Sequence, residues 1–514
     1  MFQNKIKYNF LLYLLLLLVV ILGVLVFYYP TIKQIPIGTD ATTYINDANW
    51  ITNNGRVPAP YQPTYHGFLA YTAPFTSLNV ALLHIFTHLN IIYPLFSAYQ
   101  LVLIIFLLFS SYLVGKTYSR NMSILFPVTV ICSYSIIRLF IGSTVSNLLA
   151  FCFINIIYYL VVKYFQSYRP KNLLLILLML FAIYFTHNYL TAPIFIPSLI
   201  LYFIIIFSIN KKIRNVLIQK SRENKKIVII VSLIIIVLVV NFLIIYNHII
   251  KEAINSFWKS SIQDKFLGEI PINKYGNYLG PFLYTFAILG ILMYALKKDN
   301  ILSYKVFPLF YLLILFIILQ TYLIGINFYF ERIVFLAGIF IPFFCAYFID
   351  LAIGRFKYSN KILLTLLSLF IVIITISGVN KVKDLYDKSN NVTIDQVDVL
   401  KLLNTISLST DMIVSNINAV SETNHDIMVS DRTILHVSTD TNKCLIDQAC
   451  ISFNNPAKPE SIDFFKKNNI RYVLLLYPNK DGNSELDSLS HLYAINKNFT
   501  AIFIKNDAQL FKLN

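Results

Sequence analysis

The chain has 514 residues, 57% of them hydrophobic and only 13% charged, with a mean hydropathy of +0.66. Soluble domains hold roughly 45–50% apolar and about 25% charged residues, so this composition excludes a cytosolic enzyme, a disordered chain and a secreted disulfide scaffold. Its net charge of +17 reports membrane topology if the basic residues crowd loops on one side, and nucleic acid if they form a face.

A membrane-crossing helix needs about 20 mostly apolar residues. The first such run, Asn9 to Tyr28, follows Lys5 and Lys7. It is too long for a signal-peptide core and lacks a small-residue cleavage pattern, so it reads as an uncleaved anchor. Further runs lie near 92–115, 121–140, 144–165, 172–188, 190–209, 227–246, 277–296, 306–325, 333–352 and 362–379. The chain is therefore expected to be an α-helical polytopic membrane protein with about 11 transmembrane helices.

Loop charges orient those spans. With the N-terminus inside, the short inner loops carry about 20 basic residues and the outer ones about eight, the asymmetry expected of cytoplasmic loops. Most of the positive charge is thus topological, and no nucleic-acid partner is expected. Residues 1–379 form the transmembrane domain, with a first outer loop at 29–91 and a second at 247–276 bearing Lys251, Lys259, Lys265 and Lys274.

Residues 380–514 form an extracytoplasmic tail long enough for one small domain. Strands are predicted at Met412–Val414, Ile427–Val429 and Arg471–Tyr477, a helix at Glu460–Asn469, and a closing hairpin of Phe499–Ile504 with Gln509–Leu513, an α/β pattern. Cys132, Cys152 and Cys345 fall in apolar runs as small hydrophobes, whereas Cys444 and Cys450 lie in the tail. Outside the cell those two are free to pair.

The first outer loop carries most information. Asp40 follows Gly38-Thr39 and starts a predicted helix, on which Tyr44, Ala48 and Ile51 form an apolar stripe facing the membrane surface. Asn53-Asn54-Gly55 ends it, and a second amphipathic helix runs from Phe68 to about His88, so the loop reads as two interfacial helices.

An anchor helix, then an acidic residue followed by Tyr and Ala, then Gly-x-x-Pro and a Pro/His-containing entry to a second helix resembles the GT-C glycosyltransferases. Those elements are Asp40, Tyr44, Ala48, Gly55, Pro58, Pro63 and His66. The likeness is to the protein mannosyltransferase and aminoarabinose-transferase branch, whose Glu-Arg motif Phe330-Glu331-Arg332 also resembles. The chain departs from the pattern at Asp40-Ala41, where many members carry Asp-Glu, and it lacks Trp-Trp-Asp.

What the resemblance implies is a transferase of the cytoplasmic membrane that takes a hexose or pentose from a polyprenyl-phosphate donor, with inversion at the anomeric carbon. The acceptor, a glycan, lipid or protein, would lose its proton to Asp40, while Arg332 and Arg138 hold the phosphate in their planar forks. Glu331, Tyr44, His66, Asp47 and His187 would support the site, without a resident metal or other cofactor. Each residue also has a plainer reading. Asp40 serves as a helix cap, Asp47 as a solvated or structural carboxylate, Glu331-Arg332 as an interfacial ion pair and Arg138 as a snorkelling cation. His66 and His187 then only pack their loops.

Two rival functions remain on sequence grounds. A polyprenyl-linked glycan polymerase or ligase would place its large outer loop late in the chain. A transporter or flippase of lipid-linked sugars would carry ionisable groups at mid-membrane, where these spans are almost uncharged.

Overall fold

The computed structural model describes residues 40–58, 74–141, 144–187, 191–223, 274–297, 305–321, 330–355, 372–373, 376–377, 380–381, 394–408, 410–416, 433–437, 448–477, 484–505 and 508–514. The expected spans at 9–28 and 227–246, most of 362–379, His66, Cys444 and the strand Ile427–Val429 lie outside these residues.

Two helices come first, α1 (Asp40–Asn54) and α2 (Phe75–Thr87). A π-helical turn at Ile91–Leu95 leads into α3 (Phe96–Lys116), followed by α4 (Met122–Ile131), α5 (Tyr134–Ile141), α6 (Val145–Ser167), α7 (Pro170–Thr186) and α8 (Thr191–Ile209). Then come α9 (Lys211–Glu223), α10 (Tyr275–Leu279), α11 (Pro281–Leu296), α12 (Phe307–Leu319), α13 (Phe330–Ala337) and α14 (Ile341–Arg355). Among the described residues, four helices are long and apolar enough to cross a membrane: α3, α6, α8 and the joined run Arg332–Ile353 of α13 and α14. The shorter α7, α11 and α12 are equally apolar.

The run expected as one span at 121–140 is broken. α4 and α5 meet at Cys132-Ser133 with a 52° bend. Pro127 cannot donate to the helix ladder, and Ser133 N–H turns back to the Val130 carbonyl at 3.0 Å. Across the bundle, Thr129 Oγ1 donates to the Pro342 carbonyl at 2.8 Å, pinning α4 to α14.

Close packing relies on small and polar groups, as expected where lipid offers no hydrophobic contrast. Asn155 of α6 donates to Ser110 and Ser111 of α3 at 3.3 and 3.1 Å. A methyl group at Gly290 would overlap the Phe344 carbonyl, so only glycine lets α11 approach α14 this closely.

The loops predicted to be cytoplasmic are clasped. Asp350 accepts from Ser119 Oγ at 2.7 Å and Asn121 Nδ2 at 3.0 Å. The Lys305 carbonyl accepts from the hydroxyls of Tyr118, Tyr158 and Tyr294 at 3.0, 2.9 and 2.7 Å.

The first-loop helices differ from the interfacial reading. Tyr44, Ala48 and Ile51 of α1 are 2%, 0% and 6% exposed, within the main hydrophobic core. The stripe therefore packs on protein, because α2 and the turn before α3 cover it. Asp47, on the same helix, is buried rather than solvated. α2 does present an apolar outer face, with Leu82, Leu83, Ile85 and Phe86 exposed. His88, in a left-handed conformation, ends that helix. Gly55 ends α1 at φ +65°, a conformation that favours glycine.

The tail is an α/β layer structure. Its helices α15 (Ile394–Ile406), α16 (Gln448–Asn454), α17 (Pro459–Lys467) and α18 (Ser484–Ile495) flank strands β1 (Met412–Asn416), β2 (Thr433–Val437), β3 (Ile470–Leu476), β4 (Phe499–Lys505) and β5 (Ala508–Leu513). The sheet order is β2-β1-β3-β5-β4, with β1 parallel to β2 and β3, and β5 antiparallel to β3 and β4. Alternation sends Ile413, Leu474 and Leu476 towards Val399 and Leu403 of α15. Val414, Val473 and Leu475 face Phe453, Phe465 and Tyr493 of the other helices. Cys450 stands in a disulfide, while Cys132, Cys152 and Cys345 are free and buried.

Candidate active site

Long-range contacts tie together several of the segments that carry predicted site residues. α1 begins at Asp40. One turn later Tyr44 shares a 2.6 Å hydrogen bond with Ser146 Oγ, in the first turn of α6. This contact fixes the start of α1 against the start of α6. Asp47 follows on the buried side of the same helix. It lies seven residues from Asp40, about 10 Å along the axis.

Arg138 lies on α5, beyond the bend, and its guanidinium is exposed. It sits over the rings of Tyr278 and Phe335, 5.5 and 5.2 Å from their centroids, a cation–π arrangement that sets its position. Phe335 is one turn along α13 from Arg332, which is also exposed. Arg138 is thus held against the helix that bears Arg332. Glu331 precedes Arg332 in the first turn of α13. Gly338 permits the approach of these two elements, since a methyl group there would overlap Ser135 Oγ of α5. Lys381 extends the positive character, with its ammonium 5.8 Å from the Tyr134 ring centroid on α5.

His187 lies in the turn beyond α7, outside the spans, and is 2% exposed. Its Nδ1 accepts from the Thr191 backbone N–H at 3.1 Å, and its carbonyl accepts from Ala192 N–H at 3.1 Å. Burial, and then the charge of Arg332, lower its pKa from 6.5 to about 4, so the imidazole is neutral at physiological pH. Because Nδ1 accepts, the ring proton sits on Nε2.

Tyr44 is thus tied to the start of α6, Arg138 to the helix that bears Arg332, and His187 lies within reach of the Arg332 charge. Sequence reasoning missed Ser146, Thr191, Tyr278 and Phe335. None carries a motif, and only Thr191, four residues after His187, had a local signal as the opening of the next helix.

An apolar groove of about 240 Å³ is lined among others by Tyr275, Leu279, Leu312, Leu315, Val334 and Ala337. Val334 and Ala337 belong to the helix that bears Arg332.

No protein-family model matches the chain, and no curated protein matches it in sequence. Solved structures do. The Archaeoglobus fulgidus oligosaccharyltransferase, tethered to an acceptor peptide containing the NVT sequon, aligns with a TM-score of 0.55 at 11% identity, over 89% of this chain and 68% of that one. ArnT from Cupriavidus metallidurans, bound to undecaprenyl phosphate, aligns with a TM-score of 0.55 at 8% identity, over 96% of this chain and 97% of that one. The chain has the fold of the GT-C glycosyltransferases. A third GT-C structure, the arabinofuranosyltransferase AftD from Mycobacteria, aligns with a TM-score of 0.53 at 11% identity, and the chain spans 41% of its length. The GT-C likeness is one of architecture, since identities this low fix no residue correspondence.

Proposed function

We propose that the protein is a membrane glycosyltransferase that moves a sugar from a polyprenyl-phosphate donor to an acceptor glycan, lipid or protein on the outer face of the cytoplasmic membrane. The observation that carries this reading is the approach of Arg138 to the helix of Arg332 and of His187 to the Arg332 charge, with Asp40 at the start of α1, within a GT-C fold. A transferase of this kind needs a carboxylate to take the acceptor proton and cations to hold the leaving phosphate.

In the proposed reaction the acceptor hydroxyl oxygen attacks the anomeric carbon as Asp40 takes its proton. The bond from that carbon to the phosphate oxygen breaks, and the electron pair leaves with the polyprenyl phosphate. One displacement inverts the anomeric configuration. Arg332 and Arg138 neutralise the phosphate, and the adjoining apolar groove takes the first isoprene units of the lipid. Tyr44 holds the base's helix in register, and Glu331, Asp47 and His66 support the loop.

The disulfide at Cys450 supports an extracytoplasmic tail, because such bonds persist in oxidising compartments. The test is sugar transfer from radiolabelled polyprenyl-phosphate sugars by membranes carrying wild type or Asp40→Asn. A loss of about 100- to 10,000-fold in the variant, with insertion unchanged, is the expected result. Wild-type transfer that survives the substitution removes Asp40 as the base.

A further inference from the structure

The helix α9 holds Lys211, Lys212, Arg214, Lys220 and Arg222 with Glu223 as its only acid, a charge excess for which the transferase reading has no use. It follows α8 at once. Asn210 makes the joint, accepting the Ile213 N–H on its side-chain oxygen at 3.0 Å and the Arg214 N–H on its carbonyl at 2.9 Å. Such a cap starts a new helix where the old one ends.

The joint stands at the edge of the bilayer. α8 has 19 residues, which at 1.5 Å per residue reach about 28 Å, close to the ~30 Å of a hydrocarbon core. Its last turns are open to lipid, with Ile204, Phe207 and Ile209 exposed. A run of cations is costly inside hydrocarbon, so the helix that continues from Ile209 enters the headgroup layer.

α9 has two faces. Ile213 is buried in the main core and Val216 is half-buried, where α9 packs on α8. Lys211, Arg214 and Ile218 follow one another at i, i+3 and i+7 on a different face, with Lys211 and Ile218 exposed and Arg214 half-buried. Among the described residues neither Lys211 nor Arg214 has a carboxylate partner. Cations and an exposed isoleucine on one face, continuous with a lipid-facing span, match a surface that is acidic outside and apolar beneath.

We propose that α9 binds acidic phospholipids: its cations hold their phosphate headgroups in the leaflet at the end of α8 opposite Thr191, and Ile218 enters the acyl boundary. This site is separate from the transferase site and does not depend on that reading.

The test is hydrogen exchange of the α9 amides in the purified full chain, in nanodiscs of phosphatidylcholine alone or mixed with phosphatidylglycerol. A helix of 13 residues is marginal in water unless a surface supports it, so exchange reads that support. The acidic nanodiscs are expected to slow exchange roughly 10-fold or more relative to the neutral ones, the scale set by two cations at an acidic surface. Lys211→Gln combined with Arg214→Gln should remove most of this gain while exchange in α6 stays unchanged. Lys211→Arg combined with Arg214→Lys should keep it, and added salt should weaken it. Equal exchange of wild type in the two kinds of nanodisc, or a gain that survives the paired glutamine substitutions, overturns the proposal. Slowing by an added oligonucleotide in neutral nanodiscs, with none from acidic lipid, would assign the face to nucleic acid instead.

Discussion

Tyr44 and Ser146 share a 2.6 Å hydrogen bond across 102 residues of sequence, with both side chains buried. It ties the helix that starts at Asp40 to the first turn of α6. Removing either hydroxyl deletes this bond and its hold on the start of α1. Tyr44→Phe and Ser146→Ala are each expected to lower sugar transfer about 10-fold. The double variant should be little worse than either single one, a coupling of roughly 0.5–1.5 kcal/mol. Additive losses would mean that the contact does not position α1.

His187 makes the folded protein sensitive to acid. Its folded pKa, lowered to about 4 by burial and the Arg332 charge, lies below the ordinary 6.5. Between those values the unfolded chain binds a proton that the folded chain refuses. The stability this group contributes is therefore fully present above pH 6.5 and is lost as pH falls towards 4, by up to about 1.4 kcal/mol per pH unit. Thermal unfolding of the detergent-purified protein across this window should show the slope, and His187→Gln should flatten it. An equal slope in the variant would assign the effect to other groups.

Three tyrosine hydroxyls converge on one carbonyl at the opposite end of the bundle. The Lys305 carbonyl has two lone pairs, so Tyr118, Tyr158 and Tyr294 compete for it. Any single Tyr→Phe substitution is expected to change stability by less than about 1 kcal/mol, whereas the triple variant strips all three hydroxyls from the carbonyl and is expected to cost more than the sum of the singles, by roughly 1–3 kcal/mol. Denaturation of the seven variant combinations measures this. Simple additivity would show that each hydroxyl acts alone.

The disulfide at Cys450 provides a test of topology. In intact cells, an impermeant maleimide should label Cys450 only after reduction and partial unfolding of the tail, since Cys450 is itself buried there, while Cys132, Cys152 and Cys345 stay unlabelled within the helical core. Labelling of Cys450 only after the cells are opened would place the tail inside.

Much of the architecture was legible in the sequence because lipid imposes a one-dimensional rule. A run of about 20 apolar residues has to satisfy its own backbone and so becomes a helix. The helices at 96–116, 145–167, 170–186 and 191–209 follow from such runs, although only four residues divide the last two. Gly55 ending α1 and the alternating strands β1, β3, β4 and β5 were equally local signals. β2 at Thr433–Val437 escaped notice, because it is short and its place depends on pairing with β1.

The tertiary structure decided everything that depends on contact. It turned the stripe of Tyr44, Ala48 and Ile51 from the membrane surface onto α2 and buried Asp47, because the helix's neighbours, not its periodicity, choose what its apolar face meets. It bent the run at 121–140, where Pro127 weakens the ladder and Thr129 is held by the Pro342 carbonyl of α14. It also brought Arg138 onto Phe335 of the helix that bears Arg332 and set His187 within reach of the Arg332 charge. The sequence by itself determined which segments are helices and which residue types lie near their ends. Which ends meet is a property of packing in three dimensions, and that meeting makes the candidate site.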